Sequence, residues 1–135
     1  MKEPLWLDVP DVRVIHGEII AESGGAMGIL SEGNLEATLS KPKQLFTYGE
    51  AVTLFDLAAA YGYGLGKNHC FVDGNKRIAL IAVYTFLAVN GVELTASEVD
   101  AATYFWDLAA TRDPPDVCIQ QLAAWLREHS EPIAN

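Results

Sequence analysis

A histidine, a carboxylate, an amide and two cations fall within nine consecutive positions of this chain, His69 to Arg77, reading HCFVDGNKR. The window runs straight into the apolar stretch Ile78 to Val89. Asp73-Gly74-Asn75 has the turn and N-cap residue types that open a helix, so the expected first turn carries Asn75, Lys76 and Arg77. A helix start presents unbonded backbone N–H groups and the positive end of the macrodipole, and first-turn Lys and Arg oppose that dipole. An anion relieves the conflict, and phosphate is the usual one. His69, four residues before Asp73, is the side-chain type that titrates nearest neutral pH and can carry a proton. Together these groups predict phosphoryl or nucleotidyl transfer. A plainer account exists: an Asp-Gly turn, Asp73 as a simple cap paired with Arg77, Phe71 in the core, His69 incidental. Each feature alone is weak, and their joint occurrence at the start of the most apolar segment favours chemistry.

The elements that must hold this window read as helices. Asp8 caps the first, with Pro10 in its opening turn and Asp11 at the third position; Val12, Ile15, His16 and Ile19 share a face, and Gly24-Gly25 ends it. His16 is expected to be a half-buried histidine with one satisfied hydrogen bond rather than a catalytic group. Ser31 caps a short helix through Leu35 and Leu39, and Pro42 stops it. Residues 41–50, KPKQLFTYGE, then form a mixed polar and aromatic connection. It either carries substrate contacts or folds Leu45, Phe46 and Tyr48 back on the core. Helical periodicity returns over Ala51 to Lys67, where Gly62, Gly64 and Gly66 point to close packing against a neighbour or to loosening toward the site, the former being the safer reading.

Ile78 to Val89 is apolar almost all round and is expected to be the buried central helix, ended by Asn90-Gly91. Val92 to Leu94 reads as a brief extended piece, and Thr95 with Glu98 as a capping box for a helix through Val99, Ala102, Phe105, Trp106 and Ala109. Asp113-Pro114-Pro115 breaks it. A last helix from Asp116 sets Cys118, Leu122, Trp125, Leu126 and His129 on one face, with Ser130 to Asn135 as a frayed tail. The fold class is therefore all-α, with residues 1–135 as a single domain.

Composition closes off several classes. A net charge of −9 over 135 residues argues against direct nucleic-acid binding, which needs a basic face. The apolar run of about a dozen residues is shorter than the about twenty needed to span a bilayer, and the N-terminus lacks a signal-peptide core, so a cytoplasmic location is expected. Cys70 and Cys118 are far apart, form no C-x-x-C pair and read as reduced thiols. His16, His69 and His129 lack metal-ligand spacing.

With these residues in place, the window resembles the Fic-type motif H-x-F-x-D/E-G/A-N-G/K-R, and within the Fic/Doc family it is most similar to the Doc (death on curing) branch. Lys76 stands where AMP-transferring Fic enzymes usually have glycine, and Leu80 where they carry a second arginine. The likeness extends from about Trp6 to Ala110, through the His16 helix, the Gly24-Gly25 turn, DLAAAYGYGLGKNH and LAVNGVELTASE. Cys70 replaces a frequent proline, so it is either a small apolar filler, which is favoured, or a redox-sensitive thiol. Ile81 is apolar where a polar side chain is expected. Gly28 stands where an internal inhibitory motif of the S/T-x-x-x-E-G/N kind needs Ser or Thr, although Glu32-Gly33 supplies its end.

The resemblance implies a Fic/Doc-like helical bundle acting as the toxin of a toxin–antitoxin pair. Such a protein moves the γ-phosphate of ATP to a threonine of elongation factor Tu and stops translation. It implies His69 as general base, Asp73 as the Mg²⁺ ligand, Gly74 and Asn75 as backbone and side-chain donors to the phosphates, and Lys76 and Arg77 as their neutralising charges. Phe71 would fix the loop, and residues 41–50 would be the flap that aligns the target. A separate Phd-like antitoxin would regulate it. The alternatives are an AMP-transferring Fic enzyme, disfavoured by Lys76 and Leu80, and a non-catalytic anion-binding module.

Overall fold

In the computed structural model, which describes residues 1–134, most helices start where a side chain takes up the first free N–H groups. Helix α1 (Val9–Ser23) opens with the Asp8 N–H donating to the Asp11 carboxylate at 2.8 Å. Helix α2 (Glu32–Tyr48) is capped by Ser31, whose hydroxyl accepts from the Asn34 N–H. Helix α3 (Leu54–Lys67) has a capping box: Thr53 Oγ1 accepts from the Asp56 N–H, and the Thr53 N–H donates back to Asp56 Oδ2. Helix α4 (Asn75–Val89) starts at Gly74, α5 (Glu98–Ala110) at Ser97 and α6 (Pro115–Glu128) with proline in its first turn. Two three-residue strands, β1 (Val92–Leu94) and β2 (Ser130–Pro132), are the only named strands among the described residues, so the fold is all-α as expected. No described helix is long and apolar enough to cross a membrane.

The centre of the bundle is α3, not the α4 segment expected from its apolar composition. No residue of α3 is exposed, and it packs against α2, α4, α5 and α6. Its glycines make that possible. A Cβ on Gly62 would meet Val83, Leu122 and Phe105 at 2.9–3.1 Å, and one on Gly64 would meet Thr38 Cγ2 at 2.7 Å. Close packing, rather than loosening, is thus the reason for the glycine cluster. Helix α4 buries Ile78, Ala79, Ala82, Val83, Phe86 and Leu87 but leaves Ile81 and Tyr84 exposed, so an all-apolar composition did not mean burial on every side.

Pro42 does not stop α2. The helix runs six residues further, to Tyr48, and residues 43–48 of the expected connection are helical. An internal proline costs about 3 kcal/mol. Leu35, Thr38, Leu39 and Pro42 are buried on one face, Leu45 and Phe46 pack on the core, and Phe46 sits edge-on to Trp6 at 5.7 Å. With about 1.5–3 kcal/mol for each large apolar side chain fully removed from water, this burial outweighs the proline. The ion pair from Lys43 to Asp8 of the α1 cap adds a further tether.

Two smaller expectations also fail. Ser97, accepting from the Asp100 N–H at 3.1 Å, caps α5 in place of Thr95. Thr95 instead donates both its N–H and its hydroxyl to the His129 carbonyl. The segment after α6 is not frayed: β2 pairs antiparallel with β1 in the register Val92↔Pro132 and Leu94↔Ser130, and the Ile133 N–H donates to the Gly91 carbonyl. Buried main-chain groups need partners, and β1 offers an open edge that the tail satisfies. Asn135 lies outside the described residues.

Candidate active site: a cationic cleft at the start of α4

The loop from α3 to α4 is pinned on both sides of His69. Asn68 is tied to α2, its carbonyl accepting from Asn34 Nδ2 at 2.6 Å and its own amide donating to Thr38 Oγ1 at 2.9 Å. Cys70 and Phe71 follow with 0% and 1% exposure. Between these anchors His69 takes a left-handed backbone conformation, φ 47°, which a non-glycine residue adopts only when its surroundings force it. The result is an exposed imidazole with no hydrogen-bond partner among the described residues. A proton acceptor has to be free in this way.

Phe71 holds the rest of the loop. His16 of α1 stacks on its ring at a centroid distance of 3.9 Å and an interplanar angle of 14°, and His16 Nε2 donates to the Asp73 carbonyl at 2.7 Å. His16 is therefore the satisfied histidine expected from the sequence, though fully buried, and it positions the motif directly. Asn75 clamps the same residue: its Oδ1 accepts from the Phe71 N–H at 3.1 Å, and its Nδ2 donates to the Phe71 carbonyl at 3.0 Å. One of the two Nδ2 N–H groups of Asn75 is thereby engaged with backbone.

The Asp73 carboxylate is held by backbone amides, with Oδ1 accepting from the Gly74 N–H at 2.8 Å and Oδ2 from the Ala26 N–H at 3.3 Å. It forms no ion pair with Arg77 among the described residues, whose two salt bridges are Arg13–Glu32 and Lys43–Asp8. The plainer account, in which Asp73 and Arg77 neutralise one another, therefore fails. Gly74 sits at φ 79° and caps α4 without a side chain. The N–H groups of Asn75, Lys76 and Arg77 stay without intrahelical acceptors.

These groups face one cleft of about 750 Å³. His69, Asp73, Gly74, Asn75, Lys76 and Arg77 all line it, together with Leu80 of α4 and Phe105 and Trp106 of α5. All six residues singled out in the sequence thus share one cleft. What the sequence missed is Trp106, read there only as one residue of the helix through Val99 and Ala109. Ala101, Phe105 and Leu108 form that face, while Trp106, one position on from Phe105, is 63% exposed, and the Lys76 ammonium lies 3.6 Å from its ring centroid. Adjacent Phe and Trp on a helix point about 100° apart, so one of them had to leave the core; this was the available signal.

No described group of three or more His, Cys, Asp and Glu side chains could hold a metal ion by itself. Asp73 alone fits the magnesium pattern, in which one carboxylate shares the ion with phosphate oxygens and water. Cys70 is a filler: burial raises its thiol pKa, and Thr38 Oγ1 lies 3.5 Å from its sulfur. Residues 41–50 contribute nothing to the lining of the cleft. The extended segment that runs along the motif is Ala26–Leu30, where the Leu30 N–H donates to the Cys70 carbonyl, the Val72 N–H to the Gly28 carbonyl, and Ile29 pairs with Phe71. Three glycines in five positions, Gly24, Gly25 and Gly28, mark that segment in the sequence.

Comparison with known proteins agrees with this geometry. Residues 6–87 match the Fic/DOC family model. The chain is 43% identical over 93 residues to Toxin Doc of Mycolicibacterium smegmatis, covering 67% of this chain and 71% of that protein. It is 34% identical over 84 residues to Protein kinase doc of Escherichia phage P1, covering 62% of this chain and 67% of that protein.

Proposed function

We propose that this chain, which belongs to the Fic/DOC family, is a Doc-like toxin that transfers the γ-phosphate of ATP to a threonine hydroxyl of a protein target, with elongation factor Tu as the target to be tested first. The observation that carries this reading is the shared cleft: an imidazole and two cations without hydrogen-bonding or carboxylate partners among the described residues, a carboxylate held by backbone amides, and the first N–H groups of α4 around one space. A reaction that moves a phosphoryl group needs positioning and charge stabilisation, with one group to orient and deprotonate the nucleophile. His69 accepts the proton of the target hydroxyl as its oxygen bonds to the γ-phosphorus, and the bond from that phosphorus to the bridging oxygen of ADP breaks. Arg77, Lys76 and the α4 N–H groups hold the phosphate oxygens. Asp73 would hold Mg²⁺, which would supply positive charge to offset that of the phosphates.

The choice of γ- over α-phosphorus rests on Leu80. It lines the cleft with an apolar side chain at the position where AMP-transferring relatives place a second arginine, and charge placement decides how a triphosphate lies. The name of one relative, Protein kinase doc, points the same way. A cognate antitoxin chain of the Phd kind, folding part of a disordered segment onto this protein, completes the reading. Purified elongation factor Tu incubated with ATP labelled at the α or the γ position tests it. Label from γ alone is expected, whereas label from α alone would make the protein an AMP transferase. Growth arrest that persists in His69→Ala would remove the enzyme reading altogether.

A further inference from the structure

We infer that Trp106 is a nucleobase platform: the base of the bound nucleotide stacks on its indole, without its edge being read, while Lys76 moves from the indole to the phosphates. The inference rests on the reading that the cleft takes a nucleoside triphosphate. The other two tryptophans are packed, Trp6 against Phe46 and Phe86, Trp125 against Tyr104 and His129. Trp106 alone stands out, 63% exposed, in the wall of the cleft. Ala102 lies one turn before it and Ala109 and Ala110 one turn after, all three lining the same cleft. Flanking methyl groups leave the large ring protruding as a ledge. A large aromatic surface left in water at a cleft wall is what base stacking uses, because every base has a π-face.

The partner already on the ring locates the platform relative to the phosphates. Lys76 is the second residue of α4, and its ammonium lies over the indole at 3.6 Å. The platform is thus one lysine side chain away from the N–H groups that would hold phosphate. A cation–π contact at an exposed site is weak, about 0.5–1 kcal/mol, and a phosphate is the stronger partner for an ammonium. Nucleotide entry therefore exchanges the lysine for the base on the ring.

The wall around Trp106 has little with which to tell one base from another. Leu80, Ala102, Phe105, Ala109 and Ala110 carry no side-chain donor or acceptor, and the Lys67 ammonium is engaged by the Ala109 and Thr111 carbonyls. A site without hydrogen-bonding groups for a base edge discriminates poorly between isosteres. ATP and GTP should bind within about tenfold of one another.

Calorimetric titration of the full chain with the non-hydrolysable analogues of ATP and GTP, and with inorganic triphosphate, in the presence of Mg²⁺, tests this. Trp106→Ala should weaken both nucleotide analogues at least about tenfold, the loss of one base–aromatic stack, and leave triphosphate binding unchanged. Trp106→Phe should recover most of the loss. The inference is overturned if Trp106→Ala binds the ATP analogue like the parent, if it loses nucleotide and triphosphate by the same factor, if one purine is preferred about a hundredfold, or if the parent protein binds no nucleotide. It is separable from the phosphotransfer reading. Transfer of α-label with the Trp106→Ala loss intact would sink that reading and keep this one, and γ-label transfer with no loss would do the reverse.

Discussion

Replacing Gly25 with alanine should separate the position of the Asp73 carboxylate from the stability of the fold. A Cβ at Gly25 would lie 2.5 Å from Asp73 Oδ2 and 3.3 Å from Ile20 Cδ1, and ordinary contact begins near 3.4 Å. Oδ2 would have to retreat by about 0.9 Å, which breaks its 3.3 Å hydrogen bond from the Ala26 N–H and displaces the proposed magnesium ligand. A misplacement of about 1 Å at a reacting centre costs up to about 10²-fold in rate. Gly25 also sits at φ 113°, where an L residue is strained by about 1–3 kcal/mol. Gly24 supplies the control: it too has positive φ, 79°, but its Cβ would meet nothing within 4 Å. Gly24→Ala should therefore lose about 1–3 kcal/mol of stability from backbone strain and keep its rate per folded molecule. Gly25→Ala should lose a similar stability and, in addition, about 10–10²-fold in the proposed γ-phosphate transfer to elongation factor Tu. Urea unfolding gives the first quantity, and initial rates with labelled ATP, corrected for folded fraction, give the second. If Gly25→Ala transfers phosphate at the rate of Gly24→Ala, the carboxylate is not held where the structure puts it, and the argument fails.

Asn75→Ala should cost about 2–4 kcal/mol in urea unfolding, since it strands both the N–H and the carbonyl of the part-buried Phe71 backbone, and should abolish growth arrest even under conditions where it is folded. His16→Phe preserves an aromatic ring for the stack on Phe71 but removes the bond to the Asp73 carbonyl; a loss of about 1–3 kcal/mol is expected, with His16→Ala losing more, again by urea unfolding. Burial raises the Cys70 thiol pKa above its usual value, so at any pH below it less reactive thiolate is present than for an ordinary cysteine. Iodoacetamide at pH 8 should label Cys70 in the native protein far more slowly than in urea, as read by mass spectrometry; equal rates would restore a redox role. Truncation after His129 removes the strand that pairs with Val92–Leu94 and should lower the urea midpoint, where a frayed tail would leave it unchanged.

The sequence by itself determined what depends on neighbours along the chain. The α1 start at Asp8, the turn at Gly24, the opening of α4 after Gly74 and the stop at Asn90-Gly91 all follow from local capping and backbone chemistry, and the structure has each of them. His69 and Asp73 to Arg77 fall within nine positions at one helix start, which brings them near one cleft, while contacts from α1, α2 and Ala26 fix how the loop between them is held. Tertiary structure decided what depends on contacts across the chain. Pro42 is tolerated inside α2 because Leu45 and Phe46 find a core to pack on, and α3 rather than α4 takes the centre because its glycines admit neighbours on every side. Residues 130–132 are ordered into β2 by an edge that lies some forty residues earlier in the chain. The same holds within the site. Asn75 clamps backbone because Phe71 lies within its reach, and Trp106 stays in water because Phe105 fills the core face of α5. Local rules could name residues that line the cleft, but whether a polar side chain points into it or at backbone is settled by packing, which only the folded chain specifies.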